Sequence, residues 1–317
     1  MLLRAAICRG PSTQARCYSA KATRSVPTLP DVTLETFRQY AFEPAVAALL
    51  PQGCQAHIPA VTKWFKRPDA KEKSKAPRLN THYLAGFGGV SVPLEITNNG
   101  EFVRIQNSFG FFLEFVTTYE STYILPPQHY ADKRPSTTHG TGSPDTPPSA
   151  HTIPTARIYI AQASLADLPR AMRADLPTPE LVLKAGKGDV YDSSIWLGQA
   201  PTYTPLHRDP NPNLFAQLAG KKVVRLYEPR AGNAVFSKVQ EAIGGSASAT
   251  MRGEEMMQGQ EKELLEEEVW SDGEDTIGGA WQAELEAGDA LFIPKGWWHS
   301  VKGLGEGMNG SVNWLFR

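Results

Sequence analysis

A histidine and an aspartate two residues apart, His207 and Asp209, are the side chains of this sequence best suited to metal chemistry. Alternate residues of a β-strand leave the same face, so in a strand these two side chains point the same way. A second histidine, His299, follows an apolar run at 289–294 and a turn. Two imidazoles and one carboxylate form the facial triad that binds non-haem Fe(II) and leaves coordination positions open for oxygen chemistry. These three residues are the predicted metal ligands.

Short runs of residues surround the predicted ligands, and each run is either apolar or alternates between apolar and polar residues. Pro, Gly and Asn separate the runs. Several short strands with turns between them are typical of a β-sandwich or β-barrel rather than of βαβ units. Helically spaced apolar residues over 33–50 predict an amphipathic helix, and 88–98 is predicted to be a strand. The further predicted strands are 156–162, 194–198, 213–218, 222–227, 282–286, 289–294, 298–303 and 311–316. We therefore expect one mostly β domain with N-terminal helices packed on it.

The composition argues against several classes of function. The 317 residues include 32 Lys and Arg and 33 Asp and Glu, and the formal net charge of −1 gives no support to nucleic-acid binding by bulk electrostatics. The three cysteines, Cys8, Cys17 and Cys54, lack the spacing of a zinc site and are too few for a disulfide scaffold. No apolar run approaches the roughly 18 residues that cross a bilayer, so we expect no membrane partner.

The first 24 residues predict a mitochondrial transit peptide and import into the matrix. This segment is rich in basic residues, and the first acid in the chain is Asp31. Basic, Ser-bearing and acid-free leaders are typical of such peptides. We expect cleavage after Tyr18, and the alternative is a basic tail with no targeting role. The basic residues are Arg4, Arg9, Arg16, Lys21 and Arg24.

Two segments within the remaining domain, 25–317, are predicted to be insertions. Residues 126–154 are dense in Pro, Ser, Thr, Gly and His and hold few large apolar groups. Such a composition buries too little surface to offset the entropy of ordering. Residues 238–279 are rich in Gly, Ser and Ala and then acidic, with ten acids and two bases between 251 and 275. Part of 254–269 is predicted to form a short helix.

The motifs around the predicted ligands closely resemble the JmjC family, and best its small, hydroxylase-type, cupin-like members. The similarity covers 156–236 and 280–317 well and 27–115 more loosely. This resemblance implies a double-stranded β-helix, the cupin jelly roll, with the N-terminal helices packed on it. The matching motifs are Trp196-Leu197-Gly198, Thr204 to Pro210, Asn213 to Lys222, Leu226 to Pro229, Gly288 to His299, and Ser311 to Trp314.

The resemblance also implies a role for individual residues. The three predicted ligands match the family's iron ligands, and Lys222 matches the lysine that pairs with the distal carboxylate of 2-oxoglutarate. In a strand, Lys222 shares its face with Val224 and Leu226, whereas Lys221 points the opposite way, towards solvent. A buried lysine is costly unless it is paired with an anion, which suits this role. The positions expected to contact the cosubstrate are Thr204, Asn213, Asn313 and Tyr159.

The function implied by the resemblance is an Fe(II)- and 2-oxoglutarate-dependent dioxygenase that consumes O₂ and hydroxylates a protein side chain. Two alternatives use the same chemistry, namely demethylation of methyl-lysine and hydroxylation of RNA. The mitochondrial leader and the lack of a zinc-finger segment argue against a chromatin demethylase. A catalytically silent cupin that acts as a binding module is a further alternative. Such a module would be expected to lack a ligand or the lysine, and this sequence keeps all of them.

Overall fold

A computed structural model describes residues 23–66, 76–98, 101–123, 156–245, 257–271 and 277–317. Its strands are β1 (Arg24–Ser25), β2 (Ala48–Leu49), β3 (Phe65–Lys66), β4 (Arg78–Leu79), β5 (Ser91–Asn98), β6 (Glu101–Ser108), β7 (Arg157–Ser164), β8 (Val190–Gln199), β9 (Thr202–Arg208), β10 (Asn213–Ala219), β11 (Lys221–Tyr227), β12 (Trp281–Leu285), β13 (Ala290–Ile293), β14 (Trp298–Leu304) and β15 (Met308–Phe316). Its α-helices are α1 (Leu34–Phe37), α2 (Pro59–Lys63), α3 (Thr81–Leu84), α4 (Phe109–Tyr123), α5 (Arg170–Ala174), α6 (Glu180–Lys184), α7 (Pro229–Ala242) and α8 (Gly259–Trp270). A π-helical segment, Arg38–Phe42, continues α1, and the 3₁₀ turns are Ala85–Phe87 and Leu165–Asp167.

Two sheets form the body of the domain. The minor sheet has the strand order β1-β12-β11-β14-β9, and the major sheet has the order β2-β13-β10-β15-β8-β7-β5-β6. Neighbouring strands are antiparallel, except that β1 runs parallel to β12. The inner faces of the two sheets share one apolar cluster, in which Phe215 and Leu291 of the major sheet meet Val224 and Leu285 of the minor sheet. The mostly β, cupin-type fold is thereby confirmed.

Strand β10 shows why strands in the middle of the major sheet are mostly apolar on both faces. All seven of its residues are buried. Phe215 belongs to the cluster between the sheets, whereas its neighbours Leu214 and Ala216 belong to the cluster that includes the N-terminal helices. Because alternate residues face opposite sides of a strand, a strand covered on both sides carries apolar residues on both faces. The two polar residues of β10, Asn213 and Gln217, make hydrogen bonds.

The N-terminal helix is shorter than the sequence predicts. The expected helix over 33–50 begins correctly, since the Thr33 side chain caps α1 by accepting a hydrogen bond from the backbone N–H of Thr36. Helical structure ends after Phe42, however, and Ala45 has a left-handed φ of 53° that turns the chain. The chain then pairs with β13 as strand β2, so the prediction was wrong for nearly half of the segment.

A buried carboxylate ties the N-terminal helices together. Asp175 is 1% exposed and accepts hydrogen bonds from Lys63 Nζ (2.6 Å), Trp64 Nε1 (2.9 Å) and the Tyr83 hydroxyl. Burial acts to raise the pKa of Asp175, but the hydrogen bonds from Lys63, Tyr83 and Trp64 outweigh it and hold the pKa below its usual value. The ionised carboxylate therefore fixes α2 and α3 against the end of α5.

Helices α7 and α8 cover the outer face of the minor sheet. Val235 and Val239 of α7 and Leu265 of α8 share a buried cluster with Leu206 and Trp298 of the sheet. Helix α8 confirms the short helix expected within 254–269. The leader up to residue 22 and the insertion at 126–154 lie outside the described residues, as do 246–256 and 272–276 of the second insertion. Among the helices that are described, none has both the length and the apolar character to span a membrane.

Candidate metal centre

The three predicted ligands meet at one end of the minor sheet. Strands β9 and β14 are antiparallel neighbours, and their register places His207 directly opposite His299. Asp209 follows the last residue of β9, so it lies just outside the strand expected to hold it. Its carboxylate oxygens are 3.9 Å from His207 Nε2 and 3.5 Å from His299 Nε2. One ligand atom from each residue lies within 4.8 Å of the others, which suits a single metal ion.

Hydrogen bonds orient two of the ligands. His207 Nδ1 lies 2.9 Å from the Pro205 carbonyl oxygen, and because a carbonyl only accepts, Nδ1 carries the proton. This leaves the lone pair of Nε2 free for a metal. Asn213 Nδ2 donates to Asp209 Oδ2 at 2.8 Å, which fixes the carboxylate. These hydrogen bonds are the outer-shell support typical of metal sites.

The charge state of the site also suits a metal. Burial lowers the pKa of His299 to about 4, the His207 ring acts in the same direction, and the Asp209 carboxylate acts in the opposite one. His299 is therefore a neutral imidazole near pH 7, as metal binding requires. Two imidazole nitrogens and one carboxylate oxygen match the donor set of non-haem Fe(II), so the residues fit this metal.

Lys222 is a buried cation without an anionic partner among the described residues. The side chain is 2% exposed, and its Nζ donates to Ser311 Oγ at 2.7 Å and lies 3.5 Å from the Tyr159 hydroxyl. Burial lowers the pKa of Lys222 to about 7. Neighbouring Lys221 faces outward, where its Nζ lies 2.6 Å from Glu284. An ammonium held in this way is a receptor for a carboxylate that enters the pocket.

The strand register sets the distance between this ammonium and the metal ligands. Lys222 lies opposite Gly303 on β14, and His299 lies four residues earlier on the same strand, opposite Leu226. Four residues of β-strand correspond to about 13 Å. Because the Lys222 side chain and the metal ligands line the same cavity, one dicarboxylate bound there can contact both.

Tyr159 completes this end of the pocket because the residue beside it is glycine. Strand pairing places Gly198 opposite Tyr159, and a Cβ at position 198 would lie 2.3 Å from Tyr159 Cδ2. Burial, and to a smaller extent the Glu95 carboxylate, raises the pKa of Tyr159. The hydroxyl therefore keeps its proton and can donate a hydrogen bond to a bound carboxylate.

All eight residues predicted from the sequence line one cavity. Thr204 lies opposite Val301 of β14, and Asn313 Oδ1 accepts a hydrogen bond from Trp196 Nε1 at 2.9 Å. The cavity thus joins ligands from the minor sheet to polar groups from the major sheet. The eight residues are Tyr159, Thr204, His207, Asp209, Asn213, Lys222, His299 and Asn313.

Comparisons with known proteins agree with this geometry. The sequence-family model described as the cupin-like domain matches residues 49–317 of this chain. The chain belongs to the cupin-like domain family. Similar proteins include Lysine-specific demethylase JMJ30 of Arabidopsis thaliana, which is 26% identical over 89% of this chain and 53% of that protein. Lysine-specific demethylase 8 of Xenopus tropicalis is 22% identical over 92% of this chain and 53% of that protein. The same-named protein of Danio rerio is 27% identical over 46% of this chain and 33% of that protein.

The JmjC resemblance expected from the motifs is confirmed, since other relatives include JmjC domain-containing protein D of Dictyostelium discoideum, 28% identical over 47% of this chain and 33% of that protein. This chain spans about half the length of JMJ30 of Arabidopsis thaliana and of demethylase 8 of Xenopus tropicalis, 53% in each case.

Two polar residues at the site of this cupin-like domain, Ser311 and Gln162, were not among the predicted site residues. Ser311, the hydrogen-bond partner of Lys222, lies two residues before Asn313 on β15 and so shares its strand face. Strand alternation from Asn313 could have found it. Gln162 lines the cavity from a bulge in β7, with a left-handed φ of 55°. No local signal identifies Gln162, because Gln rarely adopts this conformation.

Proposed function

We propose that this cupin-like domain is an Fe(II)- and 2-oxoglutarate-dependent dioxygenase that hydroxylates a protein side chain. The observation that carries the proposal is the buried ammonium of Lys222, unpaired with any described carboxylate, in the same cavity as two histidines and an aspartate. A metal site alone fits many proteins. A metal site that shares its cavity with a buried ammonium, a receptor for a carboxylate, fits a reaction that consumes 2-oxoglutarate.

In this reaction, 2-oxoglutarate, O₂ and a substrate C–H group give succinate, CO₂ and a C–OH group. Fe(II) held by His207, Asp209 and His299 would supply the activation of O₂. The protein's own groups bind and orient the cosubstrate. Lys222 pairs with its distal carboxylate, and the Tyr159 hydroxyl donates to the same group. Burial of this end excludes water and strengthens both contacts.

The test of the cosubstrate assignment is turnover of 2-oxoglutarate to succinate in the absence of a prime substrate. Lys222→Ala should raise the apparent KM for 2-oxoglutarate about tenfold to a hundredfold, since hydrogen bonds to charged groups contribute about 1.5–3 kcal/mol. The matched control is Lys221→Ala, whose side chain is 41% exposed and pairs with Glu284. Equal effects of the two substitutions would contradict the assignment.

The metal assignment has a separate readout that needs no turnover. The full-length protein should bind one Mn(II) or Fe(II) under anaerobic conditions, as measured by titration calorimetry. The double variant His207→Ala/His299→Ala removes both imidazoles and should lose this binding. Binding of the metal by the double variant at the strength of the wild type would refute the site.

Demethylation of methyl-lysine is the second candidate, and it is favoured by the similarity to two proteins named as lysine-specific demethylases. Both candidates require a protein substrate, which can be sought by comparing proteomes of cells with wild-type protein and with His207→Ala. A hydroxylated product gains one oxygen atom, whereas a demethylated product loses a methyl group with release of formaldehyde. Mass spectrometry of the purified substrate after reaction therefore separates the two. Modification of RNA but of no protein would favour the third candidate, an RNA hydroxylase.

We also propose that the enzyme acts in the mitochondrial matrix. Support comes from the basic, acid-free composition of residues 1–24. Import into isolated mitochondria, followed by N-terminal sequencing of the protease-protected product, tests this localisation. The mature chain should begin at Ser19, and a protein that stays outside and unprocessed would contradict the proposal.

A further inference from the structure

A second cavity, of about 420 Å³, adjoins the metal pocket at Tyr159, which lines both. Its walls come from β5, β6 and β7 on one side and from β9, β14 and α8 on the other. Sites for small organic ligands usually have volumes of about 300–1,000 Å³. The cavity is therefore large enough for a ligand of its own, and no step of the proposed reaction uses it.

Much of the wall is apolar. Apolar side chains come from β6, β7 and β14, from the turn between β8 and β9, and from the residues just before α8. A polar metabolite that needs many hydrogen bonds would leave groups unsatisfied against such walls. The apolar lining residues are Phe102, Ile158, Pro201, Met257 and Leu304.

The charged residues at the cavity carry a positive excess. Three cations and two acids line it, which gives a net charge of +1. Lys302 is neutralised by Glu266, since Nζ lies 2.7 Å from Oε1. Arg157 and Lys262 have no carboxylate partner within the described part of the chain. They line the cavity from different elements, Arg157 from β7 and Lys262 from α8.

The positions of these two cations suit an anionic head group at the edge of the apolar space. Arg157 Nη1 donates to the Pro201 carbonyl at 3.1 Å, which holds the guanidinium beside the turn between β8 and β9. Lys262 Nζ lies 6.0 Å from the centre of the Tyr203 ring, on the wall formed by β9. A carboxylate between them would receive hydrogen bonds from two sides.

We propose that this cavity binds an amphipathic organic anion, with an unbranched apolar chain against the walls and a carboxylate between Arg157 and Lys262. This ligand differs from 2-oxoglutarate, because a short dicarboxylate offers nothing to the apolar walls. The proposal is independent of the oxygenase function, since binding at this site requires neither metal nor turnover.

The test is calorimetric titration of the full-length protein with decanoate, with decanol as its neutral counterpart. One equivalent of decanoate should bind, about tenfold more tightly than decanol. Lys262→Gln and Arg157→Gln should each weaken decanoate binding about tenfold and leave decanol binding unchanged. The matched control is Lys221→Gln, because Lys221 is a surface cation outside the cavity. Thermal unfolding of each variant verifies that it is folded.

Two further variants locate the binding. Thr97 lines the cavity, and Thr97→Trp should fill the space and abolish binding of both ligands. Lys222→Met removes the ammonium of the other pocket and should leave decanoate binding intact. Loss of decanoate binding in Lys222→Met but not in Lys262→Gln would place the anion in the cosubstrate pocket and overturn the proposal. So would decanoate binding that none of these substitutions changes, or no decanoate binding to the wild type.

Discussion

Replacement of Lys222 by methionine should stabilise the metal-free protein while it destroys the cosubstrate site. In the folded chain, burial lowers the pKa of Lys222 from 10.5 to about 7. Each unit of pKa shift corresponds to about 1.4 kcal/mol, so the ammonium costs the fold about 4–5 kcal/mol near pH 7. Met removes this cost and retains the apolar stem, but it leaves Ser311 Oγ without its donor, at about 1–2 kcal/mol. The expected net gain in stability is about 2–4 kcal/mol.

The pH dependence of this gain in stability follows from the direction in which the pKa of Lys222 is shifted. Between about pH 7 and pH 10.5 the unfolded chain carries the lysine proton and the folded chain does not. Wild-type stability therefore rises with pH in this window, by up to about 1.4 kcal/mol per pH unit. Lys222→Met lacks the titrating group. Its advantage over the wild type should fall by about 2 kcal/mol between about pH 7 and about pH 9.

Urea unfolding of both proteins, without metal and in a buffer free of carboxylates, measures these differences. With Mn(II) present, 2-oxoglutarate should raise the unfolding temperature of the wild type and leave that of Lys222→Met unchanged. The reasoning would be refuted by a variant that is less stable than the wild type near pH 7, with a difference that does not vary with pH. Stabilisation of the variant by 2-oxoglutarate would refute the role of the ammonium.

Three further substitutions test the support of the site and of the fold. Gly198→Ala should displace the Tyr159 ring, which would lie 2.3 Å from the new Cβ, and weaken 2-oxoglutarate binding about tenfold in calorimetry without changing Mn(II) binding. Trp270→Phe removes the hydrogen bond from Nε1 to Ser300 Oγ (2.9 Å), and should cost about 1 kcal/mol in urea unfolding. Asp175→Asn leaves buried donors without a charged acceptor, and should cost about 3 kcal/mol by the same measurement.

Each of these substitutions has a matched control. Gly86→Ala adds a methyl group where no atom lies within 4 Å. Trp281→Phe removes a longer indole hydrogen bond, 3.3 Å from Glu228, at an exposed site. Asp167→Asn changes an exposed carboxylate. The three controls should behave as the wild type, and an effect as large as that of the tested variant would show that the cited contact is not the cause.

The sequence predicted most of the strands that carry the site, but β9, which holds His207, was not among them. Strands β10 and β15 are buried along their whole length, so apolar residues dominate both faces and make these strands easy to recognise. Helix α7 was missed. It contains Gly232, which weakens a helix in isolation, but a Cβ at this position would lie 2.2 Å from Trp298 Cδ1. Tertiary packing thus requires the residue that local propensity disfavours.

The residues that line the site were easier to predict than the hydrogen bonds that they make. Asn213 was expected at the cosubstrate, and it does line the cavity, but its amide donates to Asp209. Spacing along the chain places a side chain on a strand face. It does not say which of several polar neighbours the side chain will reach, because this depends on the separation of two sheets that the sequence does not encode locally.

The position of His207 directly opposite His299 has a consequence for the stability of the protein in the cell. The two residues are neighbours across one pair of strands, yet they are separated by β10 to β13, α7 and α8 along the chain. A metal bound to both residues would close this long loop. Because it would bind only the folded state, it would stabilise that state against unfolding. We therefore expect the abundance of the protein to follow the supply of iron, with the metal-free chain degraded first.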